Sequence, residues 1–276
     1  MNTFIDKNNP NLEEAVTTYG YSIKHSIELR EINSLFHLLE HTSTGARHAH
    51  ISNSDKENTF SVAFKTVPSD STGVAHILEH TALCGSSKFP VRDPFFSMLK
   101  RSLSTFMNAF TSSDWTMYPF STQNRKDFYN LMDVYLDSAF YPTIDELSFK
   151  QEGHRLEPED DTQDTDSLKL VYKGVVYNEM KGAMSSPNQV MVRSILNSIY
   201  PETTYSFNSG GDPAVIPQLT YDQLKAFHGR HYHPSNAFFY TYGNLPLSHH
   251  LKFIHDKILI HFKRIDPKTD VPPVSY

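Results

Sequence analysis

The chain has 276 residues, 38% of them hydrophobic and 13% aromatic, enough to bury a substantial core. Charged residues are 20% and the formal net charge is −6, which gives no reason to expect a nucleic-acid partner, since such binders carry clustered Lys and Arg. The single cysteine, Cys84, rules out an internal disulfide framework, and no apolar run reaches the roughly 20 residues of a membrane-spanning helix, so no membrane partner is expected either.

Met1 to Glu14 holds Asp6, Glu13 and Glu14 around no apolar centre, so it reads neither as a secretory signal nor as an Arg-rich transit peptide. A soluble intracellular protein is the expectation. Leu35 to Leu39 reads as a strand that turns through Ser43-Thr44-Gly45-Ala46 into a second strand, Arg47 to Ile51. Phe60, Val62 and Phe64 alternate with Ser61, Ala63 and Lys65, the pattern of a half-buried strand. After Pro68 the period changes, and Ser71-Thr72 is placed to cap a helix that runs through His76 and His80 and stops near Gly85. Phe128, Leu131, Tyr135 and Ala139 recur at helical spacing and end before Pro142. Glu157 to Asp166 is acidic and aperiodic, a predicted surface loop.

Val175 to Ala183 is a predicted helix, and another follows Pro187 with Val190, Ile195 and Ile199 turned inward. Thr220 caps a short helix carrying Leu224 and Phe227. Asn236 to Tyr242 reads as a buried strand, and Leu247, Leu251, Ile254 and Ile258 mark a closing helix. Strands and helices in mixed order predict an α+β domain, a mainly antiparallel sheet flanked by helices. The domain is expected over residues 1–267, with 268–276, which contain Pro272-Pro273, beginning a linker.

The chemistry gathers in Gly73-Val74-Ala75-His76-Ile77-Leu78-Glu79-His80. Residues four apart share a helix face, so His76 and His80 can point at one metal ion. At about 100° per residue, Glu79 lies roughly 60° from His76, on the side away from His80 and on the same broad face. This is the inverted form of the H-E-x-x-H zinc motif. Neutral imidazoles bind Zn²⁺ and leave its charge to acidify a water molecule, whose proton a nearby carboxylate takes; Glu79 is the expected general base. The apolar Val74, Ala75, Ile77 and Leu78 around the pair argue against a simple solvated face. A catalytic zinc needs a third protein ligand, and Glu179 is the best candidate, within a stripe of Val175, Val176, Met180 and Ala183. The residues alone leave open a buried ion pair of Glu179 with Arg92 or Arg155. His231 and His233, His154 and Cys84 are weaker candidates for the same metal.

Beyond that motif the chain resembles the pitrilysin/insulinase family of zinc peptidases. The matching stretches run in order from Ser71-Thr72-Gly73 through Leu83-Cys84-Gly85-Ser86, Arg92-Asp93-Pro94-Phe95-Phe96 and Phe106-Met107-Asn108-Ala109-Phe110. They continue with Ser113-Asp114-Trp115-Thr116, Gln151-Glu152-Gly153 and Gly174-Val175-Val176, then Asn178-Glu179-Met180-Lys181-Gly182, Gly210-Gly211-Asp212-Pro213 and Tyr232-His233-Pro234-Ser235-Asn236. The resemblance implies His76, His80 and Glu179 as zinc ligands, Glu79 as base, and a zinc-dependent endopeptidase that attacks the peptide bond with a zinc-bound water. It also implies that Asn108, Ala109 and Phe110 lie on an edge strand to which a peptide substrate adds by backbone hydrogen bonds. Phe106 and Phe110 would help form an apolar subsite, with core packing the other reading of Phe106. Family members are longer, so C-terminal domains are expected, and a fragment inactive without them, or a non-catalytic peptide-binding scaffold of the same fold, are the alternatives. The expected setting is the bacterial cytoplasm, or an organellar matrix if a transit peptide has been removed.

Overall fold

The structure is a computed structural model that describes residues 11–159 and 169–269. In chain order, α1 (Leu12–Thr18) and β1 (Tyr21–Leu29) lead to β2 (Ser34–His41), β3 (Arg47–Ser52) and β4 (Asn58–Lys65). Next come α2 (Val74–Ala82), α3 (Pro94–Arg101), β5 (Ser104–Met107), β6 (Phe110–Thr111) and β7 (Trp115–Thr122). α4 (Arg125–Phe140), α5 (Glu146–Glu152), β8 (Arg155–Pro158) and β9 (Leu170–Lys173) follow. The chain then forms α6 (Val175–Ala183), α7 (Pro187–Ile199), α8 (Tyr221–His231), β10 (Ala237–Gly243) and α9 (Leu247–Lys257).

The main sheet has eight strands in the order β1-β2-β3-β10-β4-β7-β5, with β6 also on β7. It is antiparallel except where β10 runs parallel to β3. The alternation in β4 does what its spacing predicts: Phe60, Val62 and Phe64 are buried, and Phe60 and Val62 face Phe120 and Tyr118 across to β7. α4 buries Phe128, Leu131, Tyr135 and Ala139 on the same core. Thr220 caps α8 in a reciprocal box with Gln223. The fold is the expected α+β class.

Three local expectations fail. Ser71 and Thr72 do not cap α2, because the Ser71 hydroxyl accepts the Asn208 N–H and the Thr72 hydroxyl is turned to Asp70. The capping position is Gly73 at φ +72°, where a Cβ would stand 2.8 Å from the Gly210 oxygen. Val190, Ile195 and Ile199 are exposed, not inward, and α7 buries none of its residues. Their spacing reports an apolar face but not whether the domain supplies anything to cover it. Finally, Glu157 and Pro158 pair with Val171 and Leu170 in a two-stranded hairpin, while 160–166 of the predicted loop lie outside the described residues. At the other end, Arg230 donates to the carbonyls of Pro267 and Lys268, and the Thr269 hydroxyl to Asn236, so residues up to 269 pack on the domain. Residues 1–10 and 270–276 also lie outside the described residues.

Several of the histidines are structural. His48 and His50, on β3, each lie 2.8 Å from the Thr241 hydroxyl on β10, and both are fully buried. Burial pushes the His48 imidazole down to about 3. Burial, with the charge of His255, takes His41 to about 4, and burial takes His231 to about 4. These rings refuse a proton that the unfolded chain accepts near pH 6.5, so their contribution is intact above that pH and is lost as pH falls toward 3–4. His48 alone should remove about 2 kcal/mol between about pH 6.5 and pH 5. Urea unfolding across that range should show a falling midpoint, and His48→Leu should flatten the fall by one proton; a flat profile in the parent would refute the assignment.

Candidate metal centre

α2 carries His76, Glu79 and His80, with His76 and Glu79 buried and His80 half-buried. Ala75, Ile77, Leu78 and Ala82 are fully buried and seat the helix in the core, which holds the three polar groups in register. α6 brings Glu179 to the pair: its Oε2 lies 3.7 Å from His76 Nε2 and 3.9 Å from His80 Nε2. Among the described residues, this is the only set of three or more metal-type ligand atoms within 4.8 Å of one another.

Both rings have their other nitrogen engaged. His76 Nδ1 is 3.0 Å from the Gly210 carbonyl oxygen, and His80 Nδ1 is 3.2 Å from Glu152 Oε2. A carbonyl or an ionised carboxylate can only accept, so each Nδ1 carries the proton and each Nε2 presents its lone pair toward Glu179. Two imidazole lone pairs and a carboxylate within 4.8 Å of one another are a donor set that fits a zinc ion. Burial works against charge on His80, but the bond to Glu152 and the charges of Glu79, Glu152 and Glu179 outweigh it and raise its pKa. Glu79 accepts a 2.6 Å hydrogen bond from the Thr111 hydroxyl on β6, which orients its carboxylate.

Glu179 does not lie on a buried stripe. Its side chain is 55% exposed, Val175 and Ala183 are exposed too, and only Val176 of α6 is buried. The carboxylate faces the open side of α2, so burial does not demand a cation for it. Nor do the arginines claim it: Arg92 donates to Gln151 and Arg155 to Glu157.

The weaker ligand candidates lie elsewhere. His154 Nε2 meets the Leu219 carbonyl, His231 stacks on Phe227 at 3.8 Å, and His233 accepts from the Ser235 N–H. His231 and His233 stand at the end of α8 and in the turn after it. The Cys84 thiol is directed to the His80 carbonyl, and burial, with Glu152 and Asp93, pushes its pKa far up.

The edge segment is broken. Phe110 pairs with Met117 in β6, whereas Asn108 and Ala109 occupy the gap between β5 and β6. The Asn108 N–H still reaches the Pro119 carbonyl, but the Ala109 N–H is taken by the Asn108 side chain. Phe106 and Phe110 are exposed and stack with centroids 6.4 Å apart, so Phe106 is not core packing. At this edge a cavity of about 300 Å³ opens beside Glu79 and His80, with an apolar wall of Leu83, Phe95, Phe96, Leu99 and Met107 and with Asp93 and Glu152 also lining it. The sequence assigns no role to the residues of this apolar wall, nor to Thr111, Glu152 and the Gly210 carbonyl: Leu83, Phe95, Phe96, Met107, Glu152 and Gly210 stand there only within the family stretches, because none has a spacing that ties it to the motif.

Residues 67–192, which include every group of the cluster, match the family described as Insulinase (Peptidase family M16), and residues 218–275 match the Peptidase M16 inactive domain. The chain belongs to the insulinase (M16) family. Among its relatives is the presequence protease, mitochondrial, of Xenopus tropicalis, 57% identical over 92% of this chain and 25% of the relative. The Mus musculus protein of the same name is 54% identical over 92% of this chain and 24% of the relative. The crystal structure of pitrilysin aligns over 86% of this chain and 24% of its own, with a TM-score of 0.66 at 20% identity, which shows the shared fold. The chain thus spans about a quarter of the length of the curated relatives it matches. The expectation of a bacterial cytoplasmic protein is overturned: these relatives of the insulinase family, and others from fish and fungi, are named as mitochondrial. That expectation rested on the first 14 residues alone, which carry no information about the family.

Proposed function

We propose that this chain is the metal-bearing domain of a zinc endopeptidase acting on unstructured peptides, with His76, His80 and Glu179 as ligands and Glu79 as general base. The observation that carries the reading is the pair of Nε2 atoms, both freed by Nδ1 partners and both facing one carboxylate. When bound, zinc supplies the Lewis acidity that acidifies water and polarises a peptide carbonyl. The chain's own groups do the rest. Glu79, aimed by Thr111, takes the proton of the attacking water and returns it to the leaving nitrogen. An extended peptide adds at the edge around Asn108, Ala109 and Phe110, where the Ala109 N–H becomes available once it leaves the Asn108 side chain, a contact that reads shape more than sequence. The apolar cavity beside Glu79 and His80 takes a hydrophobic side chain next to the cleaved bond.

The relatives' printed name supports mitochondrial targeting presequences as the substrate class and a mitochondrial setting. Residues 1–267 form the peptidase domain and 268–276, the first two of which still touch it, begin the connection to C-terminal domains, whose existence the quarter-length coverage supports. The test is elemental analysis after supply of zinc and dialysis. The parent should retain stoichiometric zinc, and Glu179→Gln should bind it more weakly by a factor above the roughly 10–100-fold that loss of an outer partner costs. A folded parent that retains no zinc, or a Glu179→Gln chain with parental affinity, would refute the ligand assignment.

A further inference from the structure

We infer that Glu152 is a positioning residue of the metal centre, holding His80 in the tautomer and orientation that present Nε2 to the metal. The inference rests on the metal reading above and names a residue outside its ligand set. Glu152 is the last residue of α5 and is 7% exposed, so its carboxylate must find partners within the protein. One oxygen accepts from His80 Nδ1 at 3.2 Å and the other from the Gln151 amide at 2.9 Å. Arg92 donates to the oxygen of that same amide, which turns its NH₂ toward Glu152. A relay thus runs from Arg92 through Gln151 to Glu152 and His80, and among these hydrogen bonds the only direct partner of Glu152 outside its own neighbour is the imidazole.

The local backbone is shaped for this contact. A Cβ on Gly153 would stand 3.1 Å from the Ile77 side chain on α2 and 2.8 Å from the Phe149 carbonyl oxygen. Glycine there lets the end of α5 press against α2 one turn from His80. The two ligand rings are held differently: His76 by a neutral carbonyl, His80 by a charged carboxylate. A carboxylate on Nδ1–H raises the donor strength of the opposite nitrogen and fixes the ring, so His80 is the better donor of the two.

The test compares the parent with Glu152→Ala and Glu152→Gln. In long-range proton–nitrogen spectra of the metal-free proteins, at alkaline pH where the ring is neutral, His80 should carry its proton on Nδ1 in the parent. In Glu152→Ala it should shift toward Nε2–H. Zinc affinity, by competition with a chelator, should fall roughly 10–100-fold in Glu152→Ala and less in Glu152→Gln, which keeps the shape and an acceptor oxygen. An unchanged tautomer together with parental zinc affinity would overturn the inference, leaving Glu152 a structural partner only. If Glu152→Ala does not fold, the isosteric Glu152→Gln decides by affinity. A parent that binds no zinc would overturn the metal reading instead, and the tautomer comparison would still decide Glu152.

Discussion

Glu79→Gln should leave zinc binding at the parental level and lower peptide cleavage by roughly 10²–10⁴-fold, the contribution of a positioned general base. The geometry makes this a clean substitution. Glu79 is not among the three groups whose ligand atoms converge, so its loss takes no donor from the metal. Gln has the same shape and still offers an oxygen to the Thr111 hydroxyl, which now donates to Glu79 at 2.6 Å. What disappears is the capacity to accept a proton from water. The assay belongs in whichever form of the protein cleaves peptides, this chain alone or one extended to the length of its relatives. Cleavage at the parental rate with zinc in place would show that another group acts as base. Loss of zinc together with activity would mean that Glu79 supports the metal, contrary to its orientation here.

The legible and the illegible parts of this domain divide along a physical line. Periodic patterns were legible as elements, because an apolar face is a local property of the chain, whereas whether that face is covered is not, as exposed α7 shows. Phe60, Val62 and Phe64 announce β4, and the stripe from Phe128 to Ala139 announces α4. The spacing of His76 and His80 was legible for the same reason, since it is set by one helix. What depends on distant pieces of chain was not. Nothing local to Asn236–Tyr242 says that β10 inserts between β3 and β4 and runs parallel to one of them. The Gly73 cap of α2 exists because Gly210 and Gly211 press against it from across the domain. Glu179 needed the family resemblance, because its own helix suggested burial while the structure leaves it exposed. Glu152 and the Gly210 carbonyl hold hydrogen bonds to His80 and His76 from segments 72 and 134 positions away, a separation that no motif spacing encodes.

That dependence on distant contacts makes Gly174→Ala the second large effect. Gly174 stands at the start of α6, and a Cβ there would lie 2.1 Å from the Gly153 carbonyl oxygen, 2.7 Å from its carbon and 3.0 Å from His154 Cα. All three are backbone atoms, with no side chain able to swing aside, so α6 itself must move. Glycines 153 and 174 form a seam joining the end of α5, with Glu152, to the start of α6, which carries Glu179 five residues on. Forcing it open should cost about 1–3 kcal/mol, the usual range for overpacking. It should also pull Glu179 from the Nε2 pair, so zinc affinity should fall by more than roughly the 10–100-fold range of an outer-partner loss. Gly182 supplies the control within the same helix. A Cβ there meets nothing within 4 Å, so Gly182→Ala should stabilise α6 by up to about 1 kcal/mol through helix propensity and leave zinc affinity unchanged. Equal zinc affinity in the two variants would mean that Glu179 is not held by this seam. A large difference would tie the third ligand to a backbone contact rather than to the side chains around it.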